Sequence, residues 1–151
     1  MRYRIRVKDI MNKKPIVVSP EASIGKAARL MARHKIGSVI VVDKGVIVGI
    51  LTEGDILRRA FIKNKSPTKT KVKDIMTKNP ITLSVDDDLS KVANIMNKKG
   101  VRRFPVVSEG KLVGYLSEKD LLKIEPSIID VLLEKLKIRE PAFKLTYALR
   151  R

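Results

Sequence analysis

Residues 7–19 read VKDIMNKKPIVVS, and residues 72–84 read VKDIMTKNPITLS. The second stretch repeats the first 65 residues on (72 − 7), and the offset then holds without a gap. Met31 falls on Met96, Gly45 on Gly110, Gly49 on Gly114 and Asp55 on Asp120. Roughly 20 of about 51 aligned pairs are identical, far above chance, so the chain is read as two copies of one unit.

Each copy has the same grammar. After the proline comes a short β-rich run, residues 16–18 or 81–83. Ser23 and Asp88 stand at matching positions, and both are good helix N-caps. Behind them IGKAARLMARHK and LSKVANIMNKKG carry apolar residues at helical spacing. Asp86 and Asp87 precede the second cap, where the positive end of a helix favours negative charge. Two apolar runs follow, residues 39–42 and 46–51, divided by DKG. Their partners, residues 104–107 and 111–116, are divided by SEG, and both pairs read as adjacent strands. A further helix starts near Glu53 or Glu118.

The expected unit is therefore β-α-β-β-α, over residues 7–63 and again over 72–124. Residues 64–71 are polar and hold a proline, as a linker does. Pro126 is placed to open a last helix, so residues 126–151 are expected to form that helix and a basic tail. Neither half is large enough to bury a sheet alone. The expected fold class is mixed α/β (α+β), with the two units face to face about a pseudo-twofold axis.

Residues 49–57 read GILTEGDIL, and residues 114–122 read GYLSEKDLL. A hydroxyl followed three residues later by an acid is a capping box, and capping alone is the plain reading of one such pair. The functional reading adds three facts. A helix N-terminus offers free N–H groups to an anion. A carboxylate accepts hydrogen bonds from two vicinal hydroxyls, as ribose presents them. A glycine upstream, Gly49 or Gly114, allows close backbone approach. Ribose and phosphate together describe a nucleotide, and both copies keep the whole set where strand turns to helix.

The chain has 151 residues, with 33 Lys+Arg against 16 Asp+Glu and a formal net charge of +17. Such a field attracts anions from nucleotides to RNA. The absence of cysteine excludes disulfides and thiolate chemistry. The single histidine, His34, excludes a histidine-rich metal site and reads as a cation near a helix C-terminus. No nucleophile–base pair, metal cluster or phosphate loop is visible, so neither an enzyme nor a cofactor is expected. Met11, Met31, Met76 and Met96 recur at matched positions as core filler, and Asp9 and Asp74 read as local caps. There is no apolar run of about 18 residues and no secretory leader, so a cytoplasmic protein without membrane contact is expected. High charge and no glutamine fit a thermophile.

Four features in this order, twice, carry a resemblance: VKDIM-x-x-x-P-I, the helical stretches 27–31 and 92–96, RRFPVV or its counterpart, and glycine–apolar–apolar–[Ser/Thr]-x-x-Asp. The chain resembles a tandem pair of CBS domains, the cystathionine-β-synthase motif, from residue 7 to about residue 123. The resemblance implies an adenosine ligand, AMP, ADP, ATP or S-adenosylmethionine, held in clefts between the paired units. It places the ribose-binding acid at Asp55 and Asp120, and the hydroxyl contact at Thr52 and Ser117. Residues flanking the adenine, partly through backbone groups, fall on Ile16 and Ile81, Ile36 and Gly37, Val101 and Arg102, and Ile50 and Tyr115. Tyr115 is suited to stack on a base. Arg102 and Arg103 hold positions that bind phosphates in AMP-sensing relatives, against Gly37 and Ser38 in the first copy, and Lys119 follows Ser117 where the first copy has Gly54. The two sites are therefore expected to be unequal.

The family commonly forms disc-like dimers through its helices, so a homodimer is expected, with a separate effector protein. The function expected is that of a stand-alone ligand sensor that signals by a change in packing. The alternative is nucleic-acid binding through backbone phosphates, since aromatic residues are only 4% of the chain.

Overall fold

The computed structural model describes residues 4–124, so the expected final helix and tail lie outside the described residues. The first copy runs α1 (Val7–Ile10), β1 (Val17–Val18), α2 (Ile24–His34), β2 (Ser38–Asp43), β3 (Val46–Thr52) and α3 (Glu53–Asp55), which continues as a π-helical stretch over Ile56–Phe61. The second runs α4 (Val72–Ile75), β4 (Thr77–Lys78), β5 (Leu83–Ser84), α5 (Leu89–Lys99), β6 (Arg103–Ser108), β7 (Lys111–Ser117) and α6 (Glu118–Leu122).

The long helices start where their caps stand. Ser23 Oγ accepts the Lys26 N–H at 3.1 Å, and an Asp88 carboxylate oxygen accepts the Lys91 N–H at 3.0 Å. Lys35 and Gly100, both left-handed, end them. The strand pairs β2–β3 and β6–β7 turn through Lys44-Gly45 and Glu109-Gly110, all at positive φ. Two such residues make a type I′ turn, which matches the twist of a hairpin. Each pair also carries an irregularity at the same place, between Val41 and Val42 and between Val106 and Val107.

Two sheets result, β1-β2-β3-β4 and β5-β6-β7. Strand alternation gives each sheet two buried jobs. Val39, Val41 and Leu51 pack on Ile24, Ala27 and Met31 of α2. Phe104, Val106 and Leu116 pack on Leu89, Val92 and Met96 of α5. The alternate residues, Ile40 and Ile50 on one sheet and Pro105 and Tyr115 on the other, belong to the opposite faces. These faces meet: β3 approaches β7, and the hydroxyls of Ser38 and Tyr115 share a hydrogen bond across them.

The repeated opening VKDIM does not serve its own copy. Val7 is buried in the core of the second copy, and Val72 and Ile75 are buried in that of the first. The Val7 N–H donates to Asp87 O at 2.9 Å, and the Val72 N–H donates to Ala22 O at 2.8 Å. Asp86 pairs with Arg6 and Lys8 at 3.1 and 3.0 Å; Glu21 pairs with Lys71 and Lys73 at 2.6 and 2.7 Å. The linker is docked as well, its Pro67 carbonyl accepting the Gly25 N–H at 2.9 Å.

The same exchange corrects the expected role of Gly49 and Gly114. A Cβ at Gly49 would lie 2.6 Å from Met76 Sδ and 2.9 Å from the Thr77 carbonyl; at Gly114 it would lie 2.6 Å from Met11 Sδ and 2.9 Å from the Asn12 carbonyl. The close approach that needs glycine is made by the opening segment of the other copy, not by a ligand.

Candidate functional site

The two Thr/Ser-x-x-Asp segments sit at the ends of β3 and β7, where the sheets face one another. In the first, Thr52 Oγ1 accepts the Asp55 N–H at 3.1 Å, and an Asp55 oxygen accepts the Thr52 N–H at 3.0 Å. The capping box is real. Asp55 is also buried and meets two groups from outside its own turn. The Thr77 hydroxyl lies 3.3 Å from both carboxylate oxygens, and Arg59 Nε lies 3.7 Å from one of them. Arg59 itself is anchored, donating to the carbonyls of Ile75 and Met76 at 3.2 and 3.1 Å.

The second segment is wired differently. Asp120 accepts both the N–H and the hydroxyl of Ser117, at 2.8 and 3.0 Å, through a single oxygen. Tyr115, two residues before Ser117, is half-buried, and its hydroxyl bonds Ser38. Burial pushes the Tyr115 phenol above its ordinary range, with the Ser38 bond and Arg103 opposing and Asp120 reinforcing the shift. Arg103 and Asp120 therefore each lie within electrostatic reach of the Tyr115 phenol. Arg103 crosses to the first copy: a Cβ at Gly37 would meet its Cζ at 3.0 Å and Glu53 Oε1 at 3.1 Å. Gly37 thus leaves room for the guanidinium.

The other expected residues are dispersed by degrees. Ile16 and Ile36 pack, half-buried, against the first core, and Ile81 and Val101 against the second. Ile50 is buried opposite Ile40. The carbonyls of Gly37 and Arg102 accept the N–H groups of Glu53 and Glu118, at 3.0 and 2.9 Å. The Arg102 side chain is exposed and turns to Glu118 at 3.7 Å. Lys119 is exposed. Four participants escape a reading of the repeat alone: Ser38, Glu53, Arg59 and Thr77. Arg59 carried a signal, since an acid and a cation four residues apart share a helix face.

Among the described residues no group of three or more His, Cys, Asp or Glu side chains is placed to hold a metal ion. No helix there is long and apolar enough to cross a membrane.

A CBS-domain family model matches residues 7–61 and 72–127, and the chain belongs to the CBS-domain family, as a tandem pair. It is 32% identical to protein MK0525 of Methanopyrus kandleri, over 88% of this chain and 69% of that one. It is 33% identical to the CBS domain-containing protein YhcV of Bacillus subtilis, over 76% of this chain and 81% of that one. Among solved structures, the CBS domain pair of protein MJ0100 in complex with 5′-methylthioadenosine and S-adenosylmethionine is 34% identical, with a TM-score of 0.72 over 80% of this chain and 94% of that one.

Proposed function

We propose that the chain is a regulatory module that binds an adenosine compound in the cleft between its sheets. The observation that carries this reading is the convergence of Asp120, Ser117, Tyr115 and Arg103 on one side of that cleft, with Ser38 and Gly37 opposite. A carboxylate suits vicinal ribose hydroxyls, a phenol ring suits a purine face, and a guanidinium suits a phosphate or a carboxylate. The 5′-methylthioadenosine and S-adenosylmethionine held by the MJ0100 pair support the ligand class. AMP, ADP and ATP belong to the same class, and the chain's +17 charge favours the more anionic of them.

Occupancy is read out through the packing of the sheets, because the ligand replaces the Ser38–Tyr115 bond that ties them. The chain acts as a homodimer, without catalysing a reaction, and passes the signal to a separate effector protein in the cytoplasm. The pairing surface is an apolar groove of about 660 Å³ between α2 and the π-helical stretch, lined by Ala28, Met31, Ile36, Leu57 and Phe61. Leu57 and Phe61 are 52% and 72% exposed along this groove, an open apolar patch of the kind that marks a protein–protein contact.

Calorimetric titration of AMP, ADP, ATP and S-adenosylmethionine, at low and high salt, tests the reading. Saturable binding that persists at high salt and weakens about tenfold or more in Asp120→Ala is expected. Binding to RNA that collapses with salt and ignores Asp120→Ala is the outcome favouring the second reading, a nucleic-acid-binding surface made by the basic charge.

A further inference from the structure

Asp55 and Asp120 are equivalent in the repeat but not in their surroundings. Asp55 is 5% exposed, and both of its oxygens meet the Thr77 hydroxyl. It also accepts the Thr52 N–H and faces Arg59. Sixty-five residues away from Thr77 and Arg59 stand Asn12 and Ile124. Neither reproduces the contact. The Asn12 amide oxygen turns back to accept the Lys14 N–H at 2.8 Å, and Ile124 packs against the second core. Among the described residues the hydrogen bonds of the Asp120 carboxylate go to Ser117 alone, through one oxygen.

We propose that the Asp55 half of the pair takes no ribose, because Thr77 and Arg59 already occupy its carboxylate, and that each chain holds one adenosine ligand, at Asp120. This rests on the adenosine reading of the cleft. The occupants are not loose side chains that a ligand brushes aside. Thr77 lies on β4, paired with Ile50 of β3, and Arg59 is held by two carbonyls of the segment leading into β4. An internal hydroxyl held in place competes at a high effective concentration. A ribose diol entering there must break the Thr77 hydroxyl's bond to the carboxylate and turn that side chain away, against a backbone that β4 pairing holds beside Asp55. At Asp120 the second carboxylate oxygen has no such competitor among the described residues. Thr77 thereby becomes a lock that ties the second copy's opening to the first copy's acid.

The test counts ligands. Equilibrium dialysis and calorimetry with S-adenosylmethionine and with ATP on the full chain are expected to give one site per chain. Asp120→Asn is expected to weaken it about tenfold or more, and Asp55→Asn to leave it unchanged. Thr77→Val combined with Arg59→Met is expected to open a second site, while Thr77→Ser, which keeps the hydroxyl, stays at one. Should the double variant fail to fold, the wild-type count and the two single acid variants decide. Two sites in the wild type, or one site lost with Asp55→Asn and kept with Asp120→Asn, overturn the inference but leave the adenosine reading standing. A folded double variant that still binds one ligand also overturns it. No binding of either probe removes both.

Discussion

Ser38 and Tyr115 show how much one hydrogen bond carries at a sheet interface. Ser38 is only 2% exposed, so Tyr115→Phe leaves a buried hydroxyl without its partner, at a cost of about 1–3 kcal/mol. Ser38→Ala together with Tyr115→Phe is expected to cost less than the sum of the two singles, and a double-mutant cycle in urea measures the difference. The phenol supplies a second check. Its pKa is raised in the folded chain, chiefly by burial, so the unfolded chain releases its proton first. The stability it contributes is complete below about pH 10 and is lost as the pH rises through the folded value. A variant carrying Tyr3→Phe and Tyr147→Phe isolates the phenolate absorbance of Tyr115, which is expected to appear above that of free tyrosine. Tyr115 was legible as a site candidate through the family resemblance, which places it beside the adenine. Ser38 was not, because its partner lies 77 residues away and on the other copy.

Among elements, the short helices α1 and α4 carry the exchange between copies, and charge and glycine hold them there. The Glu21 carboxyl is lowered from 4.5 to about 2, first by its hydrogen bonds from Lys71 and then Lys73. A depressed acid contributes stability above its unfolded value and loses it as the pH falls. The urea midpoint is therefore expected to drop between about pH 4.5 and about pH 2, less steeply in Glu21→Gln, with the difference shrinking in high salt because these charges are exposed. Asp86 is lowered likewise by Lys8 and Arg6 and adds to the same limb. Gly49→Ala and Gly114→Ala are each expected to cost about 1–3 kcal/mol by overpacking, since a backbone carbonyl stands at 2.9 Å from the added carbon. Denaturant titration checks both. The helix caps, hairpin turns and strand pairs were readable because each is decided within a few residues. The partner of VKDIM was not: a repeat aligns equivalent residues, and it says nothing about which copy an opening packs against. For the same reason Thr77 passed unnoticed beside Asp55.

For the whole molecule, the exchange means that neither copy holds a complete core. Removing residues 1–12 takes Val7 out of the second core and uncovers Gly114 in β7. One cooperative unfolding transition is therefore expected for the intact chain, and a lowered, broadened one for the truncated chain; two separate calorimetric transitions in the intact chain contradict this account of the core. Leu57→Asp with Phe61→Asp is expected to give a monomer by analytical ultracentrifugation while the fold persists, since both side chains are largely exposed in the single chain. Symmetry of sequence thus hides an asymmetry of contacts: Asp55 is buried against Thr77 and Arg59, whereas the hydrogen bonds of Asp120 among the described residues go to Ser117 alone. The most direct measurement is a crystal structure of the full chain grown with S-adenosylmethionine or ATP. The account predicts one adenosine per chain between the sheets, its ribose on Asp120 and its base against Tyr115, with the Ser38–Tyr115 bond broken. Ligand seated on Asp55 with Thr77 displaced, or an empty cleft with ligand only on the outer basic surface, contradicts it.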